Sequence, residues 1–288
     1  MYQLLDWIEP HKDKLHWNWL SSNPSLGAIE MLEENPDKIH WGMLSKNQAA
    51  IQLLEANINN NKIDWRYLCQ NKEAIQLISS NLDKIKWIYL SENQAPEAIQ
   101  LLEQNLDEIN WNNLCKNSAA IHLINENPDK INWDYLCLNP APEAIQLLEA
   151  NPDNINWNSL CKNPAAMHLI NTELENNPDS DKIVWYYLCQ NPAAINLIRK
   201  KLEENPDSDK IYWNALSGNP TAINLIRKKL EENPDSDKIY WNALSGNPTA
   251  IHLIKKELEN KPNTDKIDWK WLSVNPAIFE KTNEYILK

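Results

Sequence analysis

Five cysteines and six histidines are the residues of this 288-residue chain whose types could hold a metal or serve as nucleophile and base. Cys69, Cys115, Cys137, Cys161 and Cys189 each stand four residues after a tryptophan, where other units carry Ser21, Ser45, Ser91, Ser217, Ser245 and Ser273. Exchange of a thiol with a hydroxyl at one position calls for a small, semi-buried group rather than a ligand. No Cys-x-x-Cys pair occurs, the spacing that zinc and dithiol redox sites use. His122, His168 and His252 take the variable place of an Ala-Ile/Met-x-Leu run, and His16 and His40 precede tryptophans. None has a ligand-spaced partner, and a general base needs a positioned one. The expectation is a chain with no catalytic residue, no metal site and no cofactor.

Two further sets could bind rather than react. Arg199-Lys200-Lys201, Arg227-Lys228-Lys229 and Lys255-Lys256 recur at a 28-residue period and could follow an anionic strand. Glu203-Glu204 and Glu231-Glu232 come one turn later, however, which reads as a self-compensated, solvated helix face. A ladder of asparagines precedes proline in most units, the position of an N-cap ahead of a first-turn proline. Inward asparagines that grip an extended peptide, as in armadillo-type solenoids, are the alternative.

These residues are positioned by a repeat. Trp17, Trp41, Trp65, Trp87, Trp111, Trp133, Trp157, Trp185, Trp213, Trp241 and Trp269 are spaced by 22, 24 or 28 residues. Leu follows each at +3, from Leu20 to Leu272, and Asn at +6, from Asn23 to Asn275. An Ala-Ile-polar-Leu-Leu/Ile run, a second Asn and an Ile two residues before the next Trp complete the unit. The longest units insert four residues in the apolar run, about one helical turn of 3.6 residues, and bring Leu174, Leu202, Leu230 and Leu258 onto the same stripe. An insertion tuned to helical pitch identifies that segment as helix. The Asn-Pro-Asp connection is expected to open a shorter helix through Ile239, Trp241 and Leu244.

Two short helices cannot bury their own apolar faces, so stacking must supply the core. The fold expected is an all-α, right-handed-type α-solenoid of about eleven two-helix repeats of 22–28 residues, extended into a curved rod. Residues 1–16 read as an N-terminal cap, 17–156 as the shorter repeats, 157–268 as the 28-residue repeats, and 269–288 as a partial repeat with a C-terminal cap. The anchor tryptophans are expected in the core, since an indole buries about 150–250 Å². Residues 194–223 recur unchanged as 222–251, and duplication lengthens a scaffold more readily than it builds a unique catalytic arrangement.

The unit Trp-x-x-Leu-Ser/Cys-x-Asn-Pro-x-Ala-Ile-x-Leu-Leu-Glu-x-Asn-Pro-Asp-Lys-Ile resembles the tryptophan-rich short helical repeats of giant DNA virus proteins over roughly residues 15–276. That resemblance implies an interaction scaffold. A looser similarity to leucine-rich-variant repeats lacks the tryptophan.

The net charge is −12, with −11 in residues 1–156 and −1 in residues 157–288. An acidic body suits a phosphate backbone poorly, so a protein partner is expected and nucleic acid is the alternative, through the basic C-terminal repeats. No apolar stretch approaches the ~18 residues of a membrane span, and Met1–Trp17 lacks the basic start and apolar centre of a secretion signal. No membrane association and a cytoplasmic setting are the expectations. The position two residues after each anchor varies: Trp19, Met43, Tyr67, Tyr89, Asn113, Tyr135, Ser159, Tyr187, Ala215, Ala243 and Trp271. Aromatics that vary on a constant frame are what interfaces favour, making Trp19, Met43, Tyr67, Tyr89, Tyr135, Tyr187 and Trp271 candidate partner-binding residues. Packing between repeats is the competing role for the same column.

Overall fold

An Asp or Asn ahead of the tryptophan starts a helix in five units, at Asp64, Asn110, Asn132, Asn156 and Asp268. In the computed structural model, which describes residues 2–282, all eleven anchors are the first residue of a helix of four to six residues, from Trp17–Leu20 to Trp269–Val274. The residue before the anchor is extended, and often its side chain accepts from the new helix's free N–H groups. Asp64 accepts from Arg66 N–H at 3.0 Å and Asn110 from Asn113 N–H at 3.0 Å, which satisfies donors the helix itself cannot. A second helix follows, short in early repeats, as in Ile51–Ala56, and ten residues long in Met167–Asn176, Ile195–Glu204, Ile223–Glu232 and Ile251–Asn260. The four inserted residues therefore extend a helix by one turn. The whole is an all-α solenoid of repeated helix pairs.

The connection differs from expectation. Ile239 does not join the Trp241–Gly246 helix; it lies in the extended linker before it, buried at 4% exposure. In the shorter repeats Pro36–Lys38, Pro128–Lys130 and Pro152–Asn154 form separate 3-10 turns. There Asn35, Asn127 and Asn151 face backward, donating to the carbonyls of Met31, Leu123 and Leu147 at the preceding helix's end. Only in longer repeats do Asn205 and Asn233 accept from the chain ahead, at Asp207 and Asp235 N–H.

The core belongs to leucine and alanine rather than tryptophan. All eleven Leu at +3 have no exposed surface, and the same holds for Ala28, Ala50, Ala74 and their equivalents through Ala250. Among the anchors only Trp41 and Trp185 are buried; the other nine are half-buried. Three of these carry a lysine ammonium over the ring: Lys182 over Trp157 at 5.4 Å, Lys266 over Trp241 at 5.3 Å and Lys14 over Trp269 at 5.1 Å. An indole is too large for the space between two single-turn helices, so it lies across their margin.

Repeats are tied together by buried amides. Asn163 Oδ1 accepts from Ala165 N–H at 3.0 Å, the expected cap, while its Nδ2 donates to the carbonyls of Cys137 at 3.0 Å and Asn139 at 2.9 Å in the preceding repeat. Asn47, Asn71, Asn117, Asn219 and Asn275 repeat the pattern. A second tie comes from the +4 position. Ser45 Oγ donates to Trp41 O at 2.7 Å and accepts from Asp64 N–H at 3.1 Å, so it joins its own helix to the next repeat. Cysteine serves the same N–H with sulfur: Asn132 N–H to Cys115 Sγ at 3.3 Å, Asn156 N–H to Cys137 Sγ at 3.3 Å.

The described residues form two compact units, a terminal unit of Met1–Ser80 with Ile223–Lys288 and a central unit of Asn81–Ala222. These do not follow the change of repeat length near residue 157. In the terminal unit the first repeat stacks on the last. Strand β1 (Tyr2–Leu4) pairs antiparallel with β2 (Phe279–Lys281), Leu4 opposite Phe279. Asn23 Nδ2 donates to Ser273 O and Asn275 O at 2.9 and 3.1 Å, and His16 N–H to Ser273 Oγ at 2.8 Å. The ladder thus continues from the last repeat into the first. Leu4, Ile8 and Leu15 share one core with Ile254, Leu258, Ile267, Leu272 and Ile278. Gly27 is required there, because a Cβ would lie 2.5 Å from Phe279 Cδ1. Within the segments expected as caps, residues 1–16 and 277–288, residues 2–4 and 279–281 pair with one another. Residues 283–288 of the expected C-terminal cap lie outside the described residues. No helix among the described residues is long and apolar enough to cross a membrane.

Two outcomes follow from the ties. Asn163→Ala removes one cap acceptor and two inter-repeat donors and should cost about 2–4 kcal/mol in chemical denaturation. Asn163→Asp keeps the acceptor but aims a carboxylate at two carbonyls, raising its folded-state pKa above the unfolded value of about 3.9. Its deficit relative to wild type is smallest below about pH 4 and grows as pH rises through the folded pKa; a deficit independent of pH would show that the side chain is not held between repeats. The quintuple Cys→Ser variant at positions 69, 115, 137, 161 and 189 should keep its helical circular dichroism and melt within a few degrees of wild type, since serine fills the same place in six other units. A large loss of stability would give the thiols a role beyond that tie.

Candidate functional site

The +3 leucine fills the core and the +4 and +6 residues bridge repeats, which leaves the +2 side chain as the least constrained group of the Trp helix. Its neighbour is the +5 residue of the preceding repeat. Lys116 lies 5.4 Å from the Tyr135 ring, Lys162 lies 4.0 Å from the Tyr187 ring, and a Cβ at Gly246 would sit 3.3 Å from Trp271 Cε3. Each column residue is therefore supported on one side by the neighbouring repeat and free on the other to the extent of its exposure.

In the terminal unit the column is open. Trp271 is 42% exposed, Tyr67 39% and Met43 37%, while Trp19 is half-buried. Trp19 and Trp271, 252 positions apart, meet with ring centroids 5.3 Å apart at an interplanar angle of 50°, and the Lys270 ammonium stands 5.1 Å from the Trp19 ring. Arg66 lies over Tyr67 at 5.9 Å and is held by Asp64 at 2.7 Å.

In the central unit Tyr89, Tyr135 and Tyr187 are half-buried and Ala215 is buried. Tyr187 packs against Tyr186 at 5.6 Å, which meets Tyr212 edge-on at 5.6 Å. The seven candidates are thus divided between two units, with Trp19, Met43, Tyr67 and Trp271 in one and Tyr89, Tyr135 and Tyr187 in the other. Lys270 and Lys162, and the exposed rings Tyr186 and Tyr212, border the same residues and were not singled out from sequence. They occupy the +1, +5 and −1 positions, which vary as the +2 position does.

The other sets that invited chemistry are committed to structure. Every cysteine is buried. Burial pushes the thiols of Cys115, Cys137 and Cys161 above the usual range and that of Cys189 up to about 11, which suppresses the thiolate needed for attack or ligation. His122 and His168 pair with Glu103 at 2.9 Å and Glu149 at 2.5 Å in the preceding repeat. Among the described residues no three His, Cys, Asp or Glu side chains cluster as a metal site. In the basic ladder Lys201, Lys229 and Lys255 pair with Glu204, Glu232 and Glu259. The Asn Nδ2 groups are buried on carbonyls of the neighbouring repeat, so they are not presented to a peptide.

Two clefts are large enough to seat a side chain or short segment. One of about 660 Å³ in the central unit lies between two long second helices, with Met167, Leu174, Trp185 and Leu197 on its walls and Lys200 and Glu204 at its rim. Another of about 770 Å³ in the terminal unit is lined by Leu15, His16, Trp17, Asn18, Trp19, Asp37, Lys38 and Lys270. No protein-family model, no curated protein and no solved structure matches the chain.

Proposed function

We propose that this chain is a non-catalytic scaffold that binds another protein through the variable aromatics of its Trp helices. The observation that carries the reading is the contrast within each repeat. Positions +3, +4 and +6 do the same structural work in unit after unit, whereas +2 changes between Trp, Tyr, Met and small residues and, in the terminal unit, keeps large rings partly in solvent. Tyr and Trp give large contact area at small cost in side-chain entropy, and such rings dominate measured interface energetics. The use of cysteine, histidine and asparagine as repeat-to-repeat ties supports the non-catalytic part. Five unpaired thiols suit a reducing compartment, in keeping with a cytoplasmic setting, that of a host cell if the resemblance to giant-virus repeats reflects origin.

A nucleic-acid-binding solenoid is the second reading, favoured by the exposed Arg199, Lys200 and Lys228 at a regular period. The first is preferred because the neighbouring lysines of that ladder are neutralised by glutamates on the same helices.

Affinity capture from the native cell separates the two. Tyr67→Ala/Tyr89→Ala/Tyr135→Ala should lose the bound protein, by about thirtyfold in affinity for each 2 kcal/mol removed, with helical content retained. Replacing Arg199, Lys200, Arg227 and Lys228 by Gln should leave recovery nearly unchanged at physiological salt, where exposed charges are screened beyond about 8 Å. Recovery of nucleic acid that depends on the basic set would make the second reading the better one.

A further inference from the structure

Charge is segregated in the terminal unit. Its five Trp helices, Trp17–Leu20, Trp41–Lys46, Trp65–Gln70, Trp241–Gly246 and Trp269–Val274, contain Lys46, Arg66 and Lys270 and not one acidic residue. The chain as a whole carries −12, so its acids are placed elsewhere, on second helices and connections such as Glu30, Glu33, Glu55 and Asp235. The exposed Trp271 ring, the half-buried Trp19 ring, an open cleft and the exposed Lys270 come together at the junction of the last repeat with the first. Trp271 and Trp19 form its aromatic wall, Lys270 stands 5.1 Å from the Trp19 ring, and the cleft beneath runs past Trp17 to Lys38. Two acids lie near. Asp37 lines the cleft 3.6 Å from Lys38, and Asp268 is turned away to cap its own helix, accepting from Lys270 and Trp271 N–H at 3.0 and 3.1 Å. The Lys14 ammonium, over Trp269 at 5.1 Å, adds to the positive field.

We infer that this junction is the docking site for an acidic peptide segment of a partner protein, one that carries an apolar or aromatic anchor beside its Asp and Glu residues. The inference rests on the protein-binding reading above and adds the place and the partner's chemistry. An apolar anchor enters between Trp19 and the cleft wall, where it displaces water from indole faces. Carboxylates beside it meet Lys270, whose helix carries no acid, and compete with Asp37 for Lys38. The −12 body repels a polyanion at long range, so a long phosphate backbone is disfavoured where a short acidic segment is accepted.

The test is fluorescence anisotropy with the full chain and four labelled probes: 15-residue peptide pools of Glu/Asp/Leu/Phe/Gly, of Lys/Leu/Phe/Gly, of Ser/Leu/Phe/Gly, and a 15-nucleotide single-stranded RNA pool. The acidic-apolar pool should bind tightest and weaken several-fold between 50 and 300 mM salt. Trp19→Ala/Trp271→Ala should weaken it at least thirtyfold. Because that pair could disturb packing, Lys38→Glu/Lys270→Glu is the second variant; it leaves both indoles in place and should reverse the preference toward the basic pool. Tightest binding of the RNA or basic pool to wild type overturns the inference, as does acidic-pool binding unaffected by either variant. If the Ser pool binds equally well through Trp19 and Trp271, the acidic partner is wrong while the protein-binding reading stands. If no peptide pool binds, both fall.

Discussion

The structure depends on one buried amide per repeat. A carboxamide can accept through oxygen and donate twice through nitrogen, and the +6 asparagine uses both ends. In eight units the oxygen caps the turn that opens the second helical segment, and at Asn23, Asn93 and Asn139 it accepts from the residue that precedes that helix. In most units the nitrogen closes the carbonyls left over at the end of the preceding repeat's Trp helix. Helices of four to six residues leave most of their backbone groups without an internal partner, and a stack of such helices is viable only if each end is met from outside. Aspartate supplies the cap without the donors, and glutamine, one methylene longer, does not place its amide to cap at i+2 and meet the preceding carbonyls at once. This accounts for the same residue at all eleven positions on physical grounds alone. The +4 hydroxyl or thiol does the complementary work, receiving the first N–H of the next unit.

With polar closure assigned to two short side chains, the remaining positions sort by size. Leucine and alanine fit the narrow interior. Tryptophan, half-buried in nine of eleven units, sits at the margin, in several units beneath a lysine ammonium. That arrangement explains how a chain with fourteen tryptophans and one phenylalanine avoids a single bulky core. It also explains why variation gathers at +1, +2 and +5, where a side chain touches the neighbouring unit yet is not enclosed by it. Recognition in such a frame is set by substitution at a few outward positions rather than by remodelling loops.

The pairing of β1 with β2 adds something the repeat rule does not contain. It lets the last unit's Ser273 and Asn275 be served by His16 and Asn23 as though the chain continued, and it brings Trp19 against Trp271. The aromatic and cationic surface proposed as a docking site exists only through that junction. Neither terminal repeat possesses it alone.

The period, the helical nature of the apolar run, the extra turn of the long repeats and the capping oxygen of the +6 asparagine in eight units were all legible in the chain, because each is a local constraint written within a few residues. The exchange of Ser with Cys likewise announced a small enclosed site. The limits lay where the partner is distant in sequence. Spacing alone does not tell which of Trp133 and Leu136 faces the interior, since that follows from the gap between helices contributed by different units. The donor half of the asparagine ladder points 24 to 30 residues back, to carbonyls that every residue possesses and that leave no mark in composition. The meeting of residues 2–4 with 279–281 joins segments from opposite ends of the sequence, a contact that no single unit encodes and that only the packed structure expresses.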